Sequence, residues 1–291
     1  MDRDHRYRPG RPLTRPASRA RGEGGSRTPR ARESRRPAPA RPQPAPRTIA
    51  LLVPVTSRRR VLRSVNDCDF LRKLFPSFLR TATWDGRTRY RLYMGYDRGD
   101  RFYDRPARLL ALRAAVAWRS RSLPVGLVVE CCTGTTHAPC AVWNALFRRA
   151  CDDGADFFYQ LGDDVVLETV GWATAFPLVL ETMAGVGVTG PLDRNNPRLL
   201  TQSFVSRTHM EIFGAYFPGA FRNWWSDDWI TEVYQPDHLR PLPSQTVNNT
   251  GTGVRYEVDY AGAALLPREV AAGREVLARW LRARRGLDAR G

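Results

Sequence analysis

Phe157-Phe158-Tyr159-Gln160-Leu161-Gly162-Asp163-Asp164-Val165-Val166-Leu167 joins two apolar runs through a glycine and two aspartates. The apolar run 157–161 has the length and character of a buried strand. It stops at Gly162 and delivers two carboxylates side by side before a second apolar run, 165–167. Aspartates at a strand end put hard oxygen ligands at the carboxyl edge of a sheet, where open α/β sheets bind their ligands. With no histidine or cysteine beside them, these oxygens suit Mg²⁺ or Mn²⁺ rather than zinc. Such ions usually arrive with substrate phosphates.

Working outward, the segment 48–57 is a continuous apolar run that ends at Pro54, Val55 and Thr56, followed by Arg58, Arg59 and Arg60. Apolar residues at helical spacing predict a helix over 67–80, kinked or divided at Pro76. Residues 89–96 alternate as a second strand and run into Asp97-Arg98-Gly99-Asp100, which a plain turn would also use. A helix over 106–119, a strand over 125–130 and a helix over 141–151 lead back to the opening stretch. Strand followed by helix, repeated, predicts an α/β fold with a mostly parallel sheet and helices on both faces. Further on, a helix is expected over 169–183, interrupted near Pro177, and a short strand over 186–191. A second strand is expected over 200–206 and a helix from Arg207. Residues 233–242 read as irregular, 243–254 as a flexible Asn-, Thr- and Gly-rich loop, and 256–260 as a last strand. A basic amphipathic helix closes the chain over 268–284.

The 291 residues carry a formal charge of +17. About +10 of it lies in residues 1–47, which hold 14 Arg and 9 Pro against four acids and almost no aliphatic residue. Such a segment buries too little apolar surface to offset its ordering entropy, so 1–47 reads as a disordered tail. Its charge fits nucleic acid, an anionic membrane or another polyanion, or a solvated leader with no partner. The rest, 48–291, reads as one domain, with a first half over 48–168 and a second half over 169–291. No apolar run approaches the ~20 residues a membrane span needs. The basic N-terminus lacks the apolar core of a signal peptide. A cytoplasmic protein, or one peripheral to a membrane, is expected. The five cysteines read as reduced, mostly buried thiols.

A second acidic pair, Asp227-Asp228, follows Trp224 and Trp225 and precedes Trp229. Either pair alone would read as helix capping. Two pairs in an α/β body, one at a strand end and one framed by indoles, read as a site. The tryptophans would stack on a sugar ring or belong to the core. His209 reads as a core histidine.

The order of these features resembles the GT-A fold of nucleotide-sugar glycosyltransferases, closest to the family 2-like group, over about residues 48–235. The resemblance implies that Pro54, Val55, Thr56 and Arg58 at the first strand end, with Asp97 and Asn144, meet the nucleotide. Gln160-Leu161-Gly162-Asp163-Asp164 is similar to the Asp-x-Asp region that holds metal and diphosphate, with Gly162 where the first aspartate would stand. By that match Asp164 is the metal ligand, and Asp163 a nucleotide or sugar contact and second ligand, for Mn²⁺ or Mg²⁺. Ser226-Asp227-Asp228 is similar to the acidic motif of inverting members: Asp228 as base, Asp227 beside it, and Trp224 and Trp225 toward the acceptor. The implied function is metal-dependent, inverting transfer of a sugar from a nucleotide-diphosphate donor to a hydroxyl of a glycan, protein or lipid, with 243–254 as a lid. A sugar-phosphate nucleotidyltransferase would show glycines after the first strand, which 55–58 lack. A polyanion- or nucleic-acid-binding protein with an inactive body is the remaining alternative.

Overall fold

The computed structural model describes residues 46–121, 123–251 and 259–288. The expected disordered tail therefore lies outside the described residues, apart from its last two positions. Arg47 already opens the first strand, β1 (Arg47–Pro54). Along β1 the side chains alternate. Ile49, Leu51 and Val53 enter one apolar core, and Ala50 and Leu52 enter another on the opposite face. A strand that is apolar on both sides needs cover on both sides, which makes it central.

Three strands run parallel with it: β2 (Thr88–Asp97), β3 (Val125–Cys132) and β4 (Phe157–Gln160). The connecting helices are α1 (Phe75–Thr81), α2 (Pro106–Ser120) and α3 (Pro139–Asp152). The expected helix over 67–80 is divided into a 3₁₀ turn, a π-helical turn (Phe70–Leu74) and α1. Pro76 has no N–H to donate and its ring crowds the carbonyl four residues back, so the helix widens just before it.

The second half continues the same sheet with β5 (Val165–Leu167), α4 (Trp172–Thr182), β6 (Val188–Asp193), β7 (Phe204–Ser206), α5 (Thr208–Phe213), α6 (Ser226–Tyr234), β8 (Leu239–Asn249) and α7 (Tyr260–Asp288). The strand order is β3-β2-β1-β4-β7-β6-β8-β5. β7 is antiparallel to β4 and β6, β8 is parallel to β6, and β5 is antiparallel to β8. The fold is thus α/β, a mostly parallel sheet flanked by helices.

Several expectations are corrected. Residues 239–249 form the longest strand, not irregular chain followed by a flexible loop. Their main chain is paired to β6 on one side and β5 on the other. Asn is a poor strand former alone, but pairing to β6 and then to β5 outweighs that. Residues 252–258, most of the expected last strand, lie outside the described residues, and Tyr260 opens α7. α4 runs through Pro177, whose ring is buried. Among the described residues no helix is long and apolar enough to cross a membrane.

His209 lies on the buried side of α5. Its Nε2–H donates to Tyr216 O at 3.0 Å, and its Nδ1 accepts from the Tyr234 hydroxyl at 2.8 Å. Burial holds its pKa down to about 4. The unfolded chain takes up a proton near pH 6.5 and the folded chain does not until about 4, so stability falls as pH drops through that window. Urea unfolding at pH 7 and pH 5 should show about 2 kcal/mol lost to this group. His209→Gln, compared at the same two pH values, should lack that component.

Candidate functional site

Because β1 to β4 are parallel, their carboxyl ends share one edge. β2 and β3 lie on one side of β1 and β4 on the other, so the connections diverge between β1 and β4. That is the place where open sheets leave a crevice. A cleft of about 570 Å³ opens there, between Pro54 at the end of β1 and Gly162, Asp163 and Asp164 just past β4. Asp193, Asn195, Asn196, Asn223, Trp224, Asp227, Asn249 and Gly251 complete its polar wall. Four aspartates and four asparagines line it, and none of its described lining residues is Arg or Lys.

The loop that carries Asp163 and Asp164 is held tightly. Gly162 N–H donates to Gln202 Oε1 at 3.0 Å. Asp163 and Asp164 are only 2% and 7% exposed. The Asp164 carboxylate folds between two glycines. A Cβ on Gly162 would stand 2.9 Å from its Oδ1, and one on Gly251 would stand 2.8 Å from its Oδ2. Gly162, which interrupts the expected Asp-x-Asp pattern, is therefore the residue that lets Asp164 occupy this place. Thr250 clamps the main chain, its Oγ1 donating to Asp164 O at 2.7 Å. Lys73, the one lysine of the chain, holds Thr250 in turn. Its Nζ donates to Thr250 O at 3.0 Å and pairs with Asp69 at 3.5 Å, and Asp69 is also paired with Arg60.

Opposite stands the start of α6. Trp225 caps it in the left-handed region at φ 72°, and Asp227 and Asp228 fall in the first turn, where the helix dipole favours negative charge. Asp227 lines the cleft. Burial of its carboxyl, then the charges of Asp228 and Asp193, push its pKa up to about 8. Asp228 is not among the residues lining the cleft. Asp193 is fully buried and oriented by Asn195 N–H at 3.0 Å and Thr201 Oγ1 at 2.7 Å.

A second cleft of about 550 Å³ opens at the same edge, lined by Thr56, Arg58, Arg59, Arg60, Asp97, Arg98, Asp100 and Arg101, with Thr136 and His137. Asp97 accepts from Thr135 Oγ1 at 2.7 Å and from His137 N–H at 3.2 Å. Asp100 orders the rim, accepting from Ser57 N–H and Oγ and from the amides of Phe102 and Tyr103. Pro54, Asp163, Asp164, Asp227 and Trp224 thus share the acidic cleft, and Thr56, Arg58 and Asp97 share the arginine-rich one.

Four expected site residues lie in neither, Asp228 among them. Val55 is in the core and donates its N–H to Gly95 O at 2.8 Å. Asn144 uses its whole amide on Phe217, donating to its carbonyl and accepting its N–H, both at 2.8 Å. Trp225 donates Nε1–H to Asp259 O at 2.7 Å and packs toward α7. Asp193, Asn195, Asn223 and Asn249 join the site without a signal in the sequence. They reach it through β6, β8 and the segment before α6, whose pairing no local pattern specifies. Among the described residues no three of His, Cys, Asp or Glu converge as a ready metal cage. All five cysteines are free thiols, four of them buried.

No family model matches the chain, and no curated protein matches it. Its chain course is similar to solved structures of S. aureus TarS. The 1–349 fragment in complex with UDP is 10% identical, with 80% of this chain and 70% of that chain covered at a TM-score of 0.48. The same fragment in complex with UDP-GlcNAc is 10% identical, covering 81% and 71% at 0.49. A longer TarS chain is 11% identical, covering 81% of this chain and 43% of that one at 0.48. A likeness of this degree carries no functional assignment.

Two outcomes follow from the geometry. A carboxylate whose folded pKa is raised loses stability as pH climbs from its unfolded value through about 8. Asp227→Asn should therefore raise the urea midpoint at pH 8 and leave it nearly unchanged at pH 4. Lys73→Met should cost about 1–2 kcal/mol and speed hydrogen exchange at the Thr250 amide, which is held by Asp164 O.

Proposed function

We propose that this protein is a glycosyltransferase that moves a sugar from a nucleotide-diphosphate donor to an acceptor hydroxyl with the help of Mn²⁺ or Mg²⁺. The observation that carries the reading is that four aspartates line one cleft, beside an arginine-rich cleft at the same sheet edge. Like charges brought together in a half-buried wall repel, and a dication relieves that repulsion. Carboxylate and carboxamide oxygens are the donor set that Mg²⁺ and Mn²⁺ take, and with no preformed cage the phosphates of the donor would supply the remaining ligands.

In this reading Asp164 holds the cation, with Asp163 as its second protein ligand. The bound ion supplies charge neutralisation of the diphosphate leaving group. Thr56, Arg58 and Asp97 receive the nucleoside end of the donor. Trp224, 43% exposed at the cleft mouth, offers its ring to the apolar face of a sugar. The acceptor oxygen forms its bond to the anomeric carbon as the bond to the diphosphate breaks, and the diphosphate leaves with the electron pair. Asp227 takes the acceptor proton. A base that titrates near neutrality is well matched to that task. The base is therefore assigned to Asp227 rather than Asp228, whose charge helps to set the pKa of its neighbour. A single displacement of this kind inverts the anomeric centre.

Calorimetric titration of the full chain with UDP, GDP and their sugar conjugates, with Mn²⁺ and again with EDTA, tests the reading. One nucleotide should bind in a metal-dependent way, and Asp164→Asn should abolish that dependence. With the donor so identified, Asp227→Asn should lower kcat by about 10²–10⁴-fold at little cost in donor affinity. A folded chain that binds none of these nucleotides would overturn the proposal.

A further inference from the structure

Helix α2 turns an apolar face to solvent. Leu112, Val116 and Ser120 are buried against the sheet. On the opposite side Leu110 is 71% and Trp118 is 70% exposed. Ala111, Ala114 and Ala117 lie between them, also exposed, at the spacing of one helical face. A water-facing helix ordinarily carries charge in that arc. Here the charges stand at its sides. From Arg105 to Arg121 the sequence has five arginines and no acidic residue. Arg113, exposed on one flank, donates Nη1–H to Leu127 O at 3.4 Å, and on the other flank Arg108 lies 5.1 Å over the Phe102 ring. At the C-terminal end Arg121 stands 5.9 Å from the Trp118 ring. Arg119 is turned inward, donating to Leu71 O and Asn66 Oδ1, and takes no part in the surface.

An apolar strip with arginines along its edges and an indole near one end is the surface that lies in a lipid interface. The strip enters the acyl boundary, the indole sits at headgroup level, and the guanidinium groups reach outward to phosphate. We propose that the outer face of α2 docks the protein on an anionic lipid surface. Charge selects this occupant. A second copy would set one acid-free row of arginines against another, and a nucleic acid would meet an apolar strip where it needs cations. This surface is separate from both clefts, and the proposal does not depend on the catalytic reading.

The test is binding of the full chain to vesicles of phosphatidylcholine with and without phosphatidylglycerol, at physiological salt. The arginine-rich N-terminal sequence would add salt-sensitive attraction of its own, so the decisive readings are those of the apolar strip. Leu110→Ser with Trp118→Ser changes only exposed side chains and should lower affinity for the anionic vesicles about tenfold, with an unaltered circular dichroism spectrum. Arg113→Glu with Arg121→Glu should weaken binding comparably. Brominated acyl chains should quench a component of the tryptophan emission that disappears in Trp118→Phe. The proposal is overturned if the wild-type chain does not bind the vesicles, or if the serine double variant binds as tightly as wild type. It is equally overturned if sedimentation velocity reveals a dimer, or titration an RNA complex, that the same double variant abolishes in place of vesicle binding.

Discussion

The burial of several carboxylates at one edge of the sheet is the physical constraint that organises the site. Asp163, Asp164, Asp193 and Asp227 share a cleft whose described lining contributes no cationic side chain, in a chain whose formal charge is +17. The fold keeps them together by fixing each from behind. Glycines on either side make room for Asp164, Gln202 and Thr250 hold its loop, and Asn195 and Thr201 hold Asp193. Burial, and after it the charges of Asp228 and Asp193, push the pKa of Asp227 up to about 8.

The sheet topology is what gathers these groups. Four parallel strands end at one edge, so their loops meet there whatever their sequence, and the divergence between β1 and β4 leaves a crevice. Beyond the antiparallel β7, the parallel pair β6 and β8 then brings Asp193 to that edge and sets Asn249 and Gly251 beside Asp193 and Asp164. Lys73 ties the two halves. It sits in the π-helical turn before Pro76 and reaches the end of β8, with Asp69 and Arg60 behind it leading to the second cleft. The arginine-rich cleft and the acidic cleft are joined through hydrogen-bonded and paired groups.

Much of the first half was legible in sequence because its signals are local. The apolar runs of β1 and β4, the helical spacing of α2 and α3, and a glycine followed by two aspartates at a strand end each follow from period and composition. Site residues on those elements reach a cleft where strand ends carry them there, as with Pro54, Asp97, Asp163 and Asp164. Sequence order did not reveal which side chains are spent internally. Asn144 looks available on a helix but is consumed by the main chain of Phe217. Trp225, one residue from Trp224, turns toward α7 because it adopts a left-handed backbone at the helix cap.

By itself, then, the sequence determined the alternation of strands and helices, the two acidic pairs, and the separation of a basic leader from an apolar body, since these rest on local periodicity and charge. Only the tertiary structure decided that 239–249 is a strand, that Asp227 rather than Asp228 faces the cleft, and that Asp193 and the asparagines join it. Those outcomes depend on ladders between distant segments, and on the one-residue difference in helix phase that turns adjacent side chains in different directions. Neither is encoded in any single stretch of the chain.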